Sequence, residues 1–162
     1  MNQIQVRLGD VFEVSIDMAN NMYFQYIGDD PTALDSQVIR VFKTKRMKRA
    51  SPALAKVVND DVYFYAHVFI RLGLETGLWA KVGNVKQVGS TDIMFRDSID
   101  AGDPNIKISH DWRVWRMGEQ MREVGALNNR TKKYDIGDVV RPQDIIDRMK
   151  TGEYKFVYPK FE

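Results

Sequence analysis

Apolar residues in this chain come in short runs, broken every few positions by Gly, Asp, Asn or Pro. The longest run covers residues 62–79, and its first nine positions are aromatic, β-branched or Ala, interrupted only by His67. Such a run predicts a strand covered on both faces, although a buried helix segment has the same continuous pattern. It is expected to be the central strand of the core.

Alternating positions predict the other strands. Ile4, Val6 and Leu8 alternate with Gln5 and Arg7, the period of a half-buried strand, and residues 11–16 resume after Gly9-Asp10. Turn formers at 17–21 lead into Tyr23-Phe24-Gln25-Tyr26-Ile27, which predicts a hairpin ended by Gly28-Asp29-Asp30-Pro31. Further strands are expected at 37–42, 79–85 and 93–96. A polar loop is expected at 97–105. In the strand beginning at Trp112, Trp112, Val114 and Arg116 take one face and Arg113, Trp115 and Met117 the other, so one tryptophan should be less buried than its neighbour. Tyr154, Phe156 and Tyr158 predict a last strand ended by Pro159.

Two helices are expected. Ser51-Pro52 reads as a cap with Pro at the first helical position, with Leu54, Val57 and Val58 inward and Asn59-Asp60-Asp61 as the stop. Pro142 opens the second, with Asp144 in its first turn, Ile145, Ile146 and Met149 on its apolar side, Arg148 and Lys150 near its end, and Gly152 beyond it. Strands so closely spaced favour antiparallel pairing, because parallel pairs need long crossovers. The expected fold is mainly β (α+β): a curled or barrel-like antiparallel sheet with two or more short helices, in one domain over residues 1–162. Ile136-Gly137-Asp138-Val139-Val140 echoes Leu8-Gly9-Asp10-Val11-Phe12, but two short matches do not make a repeat.

Composition changes this picture little. Charged residues at 28% and apolar residues at 44% are ordinary for a globular protein. Zero cysteines exclude disulfides, thiolate metal sites and a Cys nucleophile. The first residues carry neither a basic leader nor an apolar segment, and no run reaches the ~20 apolar residues of a membrane span, so a cytoplasmic protein without a membrane partner is expected.

Charge is uneven. Lys43, Lys45, Arg46, Lys48 and Arg49 form a basic tongue, and without these five the chain has 19 basic against 22 acidic residues. The tongue could attract nucleic acid or an acidic protein patch. No aromatic residue interleaves with its charges to stack on bases, so a solvated connection is the plainer expectation and nucleic acid is not the expected partner.

No phosphate-binding loop, dinucleotide fingerprint or nucleophile elbow occurs. His67 and His110 lack a second histidine at metal spacing, and Asp97, Asp100 and Asp103 miss the calcium-loop spacing, so neither a metal nor a cofactor is expected. His67 in an apolar strand is expected to be a structural imidazole bonded to a carbonyl or carboxylate, with a general base as the alternative. His110-Asp111 reads as a turn, and Asp29-Asp30 as turn residues that diverge. Trp79, Trp112 and Trp115 fit core packing, with interface anchoring as the alternative.

Several segments in order, Leu8-Gly9-Asp10-Val11-Phe12, residues 23–30, Val38-Ile39-Arg40-Val41-Phe42, Phe64-Tyr65-Ala66-His67, residues 78–84 and 154–159, resemble immunity protein 26, a family of bacterial polymorphic-toxin systems. The likeness spans nearly the whole chain and rests on the order of the pieces. It implies a mostly β cytoplasmic antidote that binds a cognate toxin domain, with no catalytic residue to carry over. A toxin acting on nucleic acid has a basic cleft, and an inhibitor would meet it with carboxylates around an apolar anchor. The candidate contacts are Asp29 and Asp30 in one loop, Asp97, Asp100 and Asp103 in another, and Trp112 or Trp115 as the anchor. The rival readings are a nucleic-acid-binding β domain using residues 43–49, and a hydrolase using His67 or His110 with a nearby Asp in a concave polar pocket.

Overall fold

A computed structural model describes residues 4–162 of the chain. The elements in order are β1 (Asp10–Ser15), β2 (Asn20–Asp30), β3 (Ser36–Phe42), β4 (Arg46–Met47), α1 (Leu54–Val58), β5 (Val62–Val68), α2 (Ile70–Glu75), β6 (Ala80–Asn84), β7 (Met94–Ser98), β8 (Trp112–Arg116) and β9 (Arg122–Gly125). A single 3-10 turn at Thr131–Lys133 then precedes β10 (Asp135–Ile136), β11 (Val139–Val140) and α3 (Pro142–Thr151). The fold is mainly β, with two sheets and three short helices, and neither sheet closes into a barrel.

The larger sheet runs in the order β11-β5-β3-β2-β1-β6, with β4 added against the start of β2. Its hairpin β1–β2 forms as expected. The Asp17 carboxylate accepts the N–H groups of Ala19 and Asn20 at 2.8 and 2.7 Å and so closes the turn locally. The smaller sheet runs β10-β7-β8-β9. Pairing is antiparallel except for two short parallel contacts, β10 with β7 and β11 with β5.

Register places Phe12, Phe24 and Val41 in one row and Tyr26, Ile39 and Ala66 in the next, on the same face of the larger sheet. Ile70 of α2 and Ile145, Ile146 and Met149 of α3 cover that face. The opposite face is covered twice. Val57 and Val58 of α1 pack on Val11, Tyr23 and Phe42, while Ile93, Phe95 and Trp115 of the smaller sheet pack on Ile27 and Val38. Between these two clusters Arg40 donates from Nε and Nη2 to Gln25 Oε1 at 2.9 and 2.7 Å, and Gln25 Nε2 donates to the Val85 carbonyl at 2.8 Å. Each buried polar atom of this pair thereby has a partner.

The structure moves several expected elements. The run 62–79 is a strand, a helix and the approach to β6, and its strand lies next to the short edge strand β11; β2 and β3 hold the centre. Continuous burial is a property of β2, where Asn21 to Ile27 are all buried. Residues 4–8 form no strand, and Ile4 and Leu8 are about half exposed at 55% and 57%. The physical reason is a turn that separates them from β1: Gly9 takes a left-handed φ of 89° and the Asp10 carboxylate accepts the Arg7 N–H at 2.7 Å. Met1 to Gln3, on which the expectation of no leader partly rests, lie outside the described residues.

The first helix begins at Leu54, after Ala53, instead of at Pro52. α3 forms as its sequence directs: Asp144 accepts the Arg141 N–H at 2.8 Å, Pro142 is its first residue, and Gly152 takes a left-handed φ of 86° at its end. The tail 154–159 is extended but makes no strand. Its alternation is used to stack rings: Tyr154 on Phe64 and Phe156, and Tyr158 on Phe156 and Trp112. It joins a neighbour only through the isolated bridge of Lys160 with Ile108. Because that tail covers one face of the smaller sheet while the larger sheet covers the other, Trp112 and Trp115 are both buried, at 0% and 2% exposure, and the expected difference between them is absent.

Candidate functional site

Three of the expected contact residues turn out to build the interior. Asp30 is fully buried at the end of β2. Its carboxylate accepts His67 Nε2 at 2.9 Å, Trp115 Nε1 at 2.7 Å and the Gly118 N–H at 2.8 Å. Burial alone would raise the pKa of this carboxyl, but donation by His67, Trp115 and Gly118 outweighs it and holds the group below its ordinary value. Trp112 donates its indole N–H to the Ser109 carbonyl at 2.8 Å and is likewise sealed. Asp30, Trp112 and Trp115 are therefore corrected from surface contacts to structural residues, since none presents area to a partner.

His67 has the structural role expected of it. Its ring lies 4.3 Å, centroid to centroid, from Phe95 and has no exposed surface. Neither His67 nor His110 lines the surface clefts of about 310, 330, 290 and 210 Å3 formed by the described residues. His110 is exposed on a loop.

The remaining candidates stay at the surface. Asp29 is exposed and accepts the Tyr26 hydroxyl, which burial and the adjacent carboxylate push well above the usual phenol range. Asp97 is half-buried and accepts the Tyr158 hydroxyl at 2.6 Å and the Ser98 N–H at 3.0 Å. Burial, with a smaller contribution from the charge of Asp138, raises its pKa to about 6. Asp103 is exposed and accepts the Asn105 N–H at 2.9 Å.

The loop carrying Asp100 is braced from below. Ser98 Oγ donates to Ser109 Oγ at 2.7 Å, Ser109 Oγ donates to Asp100 at 2.7 Å, and the Asp100 N–H donates to Ser98 Oγ at 3.0 Å. The tail locks its far side, with the Ser109 N–H on the Lys160 carbonyl and the Lys160 N–H on the Lys107 carbonyl, both at 2.8 Å. On this scaffold stand three apolar side chains that sequence reasoning passed over: Ile99 and Ile108 on the loop, 48% and 47% exposed, and Val157 on the tail, 66% exposed. Residues 97–111 hold four aspartates and one lysine. The signal was present as Ile99 and Ile108 within a polar stretch, and as Val157 out of phase with the half-buried rings of the tail.

The basic tongue is also ordered. β4 pairs with Asn20 and Asn21, the Lys48 N–H bonds the Ala19 carbonyl at 2.9 Å, and the Thr44 N–H bonds the Asp60 carboxylate at 2.9 Å. Among the described residues Lys43, Lys45, Arg46, Lys48 and Arg49 have no carboxylate within 4.0 Å. They gather at the first residues of β2 and Asp29-Asp30 at its last, so the length of an 11-residue strand, roughly 35 Å, separates them. No helix among the described residues is long and apolar enough to cross a membrane, and no group of three His, Cys, Asp or Glu is placed to hold a metal ion.

No family model, curated protein or solved structure matches this chain.

Proposed function

We propose that this protein is a toxin-neutralising immunity protein, a cytoplasmic binding protein of a bacterial polymorphic-toxin system that covers the working face of a cognate toxin domain without a covalent step. The observation that carries this reading is the braced loop 97–111 with its tail, where Ile99, Ile108 and Val157 stand exposed beside Asp100, Asp103 and Asp111. Apolar anchors ringed by carboxylates on rigid backbone are what a basic, desolvatable cleft such as that of a nuclease binds, because little order is lost on docking and the charges steer the encounter. The ordered likeness to immunity protein 26 points the same way. The Asp30 carboxylate is buried and fully engaged by three donors, and His67, whose Nδ1 is buried without a partner, lines none of the clefts described above, which favours a scaffold over a reaction centre.

The test is titration calorimetry of this protein with the purified toxin domain encoded beside it. Reversing Asp100 and Asp103 to Lys should weaken binding at least tenfold and flatten its salt dependence; unchanged affinity would remove this loop from the site.

The unpaired cations of residues 43–49 favour a second reading, a nucleic-acid-binding β domain. It requires binding to RNA or DNA that falls steeply with salt and disappears when the five are neutralised.

A further inference from the structure

Next to the apolar face opens a cleft of about 310 Å3, whose rim includes Gly102 and Val157 of that same face. Phe156 and Tyr158 supply aromatic wall, and Asp138, Arg141 and Asp144 supply charge. The charges are not equally matched. Asp144 is neutralised in place, because Arg141 donates to it from Nη2 at 2.8 Å and from Nε at 3.0 Å. Asp138, in the turn between β10 and β11, has no Lys, Arg or His nitrogen within 4.0 Å among the described residues.

Burial raises the pKa of Asp138, opposed by the Val139 N–H and then by His67, with Asp144 adding to the shift, and the charge of Asp138 in turn helps raise Asp97 behind Tyr158. Asp138 is thus a half-buried carboxyl without an ion-pair partner among the described residues, in a cleft lined also by the rings of Phe156 and Tyr158. A planar cation satisfies both features at once: its fork meets a carboxylate while its face stacks on an aromatic ring.

We propose that this cleft is a socket for an arginine side chain of the protein partner, with Asp138 as the counter-charge and Phe156 and Tyr158 as the stacking walls. The proposal rests on the reading of the neighbouring face as the partner-binding surface, and it gives that surface a specific polar anchor. A guanidinium seated there replaces a shortage of positive charge with a partly desolvated ion pair, which is worth more than an exposed one.

The test needs no toxin. The isotope-labelled protein is titrated with N-acetyl-arginine amide and followed by amide chemical shifts, with N-acetyl-citrulline amide as the uncharged isostere and N-acetyl-lysine amide as the point-charge cation. Saturable shifts at Gly102, Val139 and Val157 are expected with the arginine probe, binding at least about tenfold weaker with citrulline, as loss of a charge-assisted hydrogen bond implies, and intermediate binding with lysine. Asp138→Asn should abolish the arginine response while keeping the dispersed spectrum of a folded chain, and Asp103→Asn should leave it intact. The wild-type comparison of arginine with citrulline decides the matter even where Asp138→Asn fails to fold. Equal binding of citrulline, shifts centred on residues 29–35, or no localised shift overturns the socket. Loss of toxin protection with a normal arginine response would instead count against the immunity reading, so the two failures are told apart.

Discussion

Asp30 on β2 and Trp115 on β8 are joined by a 2.7 Å hydrogen bond, and this pair ties the two sheets together with no water-exposed surface on either side chain to speak of. The same carboxylate takes the His67 imidazole from β5 and the backbone N–H of Gly118 beyond β8. One residue therefore fixes how the smaller sheet, and with it the loop 97–111, sits on the larger.

Removing that carboxylate strands the buried donors of His67 and Trp115 and frees the N–H of the exposed Gly118. Asp30→Ala should destabilise the protein by at least ~2 kcal/mol, since each unsatisfied buried group costs roughly 1–3 kcal/mol. Asp29→Ala, one residue earlier and exposed, should cost only about 1 kcal/mol, the loss of the single bond it accepts from the Tyr26 hydroxyl. Urea denaturation followed by tryptophan fluorescence measures both, and equal effects would contradict the role given to Asp30.

Asp97 carries a pH dependence of the opposite sign from a salt-bridged carboxylate. Its pKa is raised to about 6 in the folded protein, so the folded state holds the proton more tightly than the unfolded one. Stability is lost as pH rises from the ordinary carboxyl pKa near 4 to about 6, and the loss is complete above that. Asp97→Asn, which keeps an oxygen for the Tyr158 hydroxyl, should stabilise the protein by at most ~3 kcal/mol at pH 7.5 and not at pH 4. Urea midpoints across that range check the sign.

Gly137 lies against the indole of Trp115 and the Cβ of Phe95, so closely that a methyl group there would overlap the ring. Gly137→Ala should cost about 1–3 kcal/mol through overpacking and shift the near-ultraviolet dichroism of the buried tryptophan. Gly102→Ala meets no neighbouring atom within 4 Å, so its cost should be confined to its positive φ of 91°.

Which parts of this design could be read in the sequence follows from what each pattern encodes. α3 was legible to its caps, because Pro142, Asp144 and Gly152 act on backbone within one turn of themselves. The hairpin at Asp17 was legible for the same reason. The centre of the sheet was not: residues 62–70 and 23–27 are about equally apolar, and only the partners on each side separate an inner strand from one near the edge. The alternation of Tyr154, Phe156 and Tyr158 predicts a strand where the structure has none, since a strap that stacks its rings on the core has the same period. For the site, turn-forming aspartates were found by type, but the burial of Asp30 depends on Trp115 and His67, which lie 85 and 37 positions away.

The basic lip at residues 43–49 offers a clean discrimination. Changing Lys43, Lys45, Arg46, Lys48 and Arg49 to Gln should leave the melting temperature within a few degrees of wild type, because none of them pairs with a carboxylate among the described residues. It should also leave toxin affinity unchanged. Fluorescence anisotropy with labelled RNA and DNA at low salt should show no specific binding by the wild type; salt-sensitive binding lost in the variant would favour the nucleic-acid reading.

The most direct measurement is survival of cells that produce the toxin domain encoded beside this chain together with wild type or with the double variant Ile99→Lys, Val157→Lys, whose fold is verified by circular dichroism. Wild type should rescue growth and the double variant should not. Full rescue by the variant, or death with both, would contradict the claim that this exposed apolar and acidic face is where the partner is held.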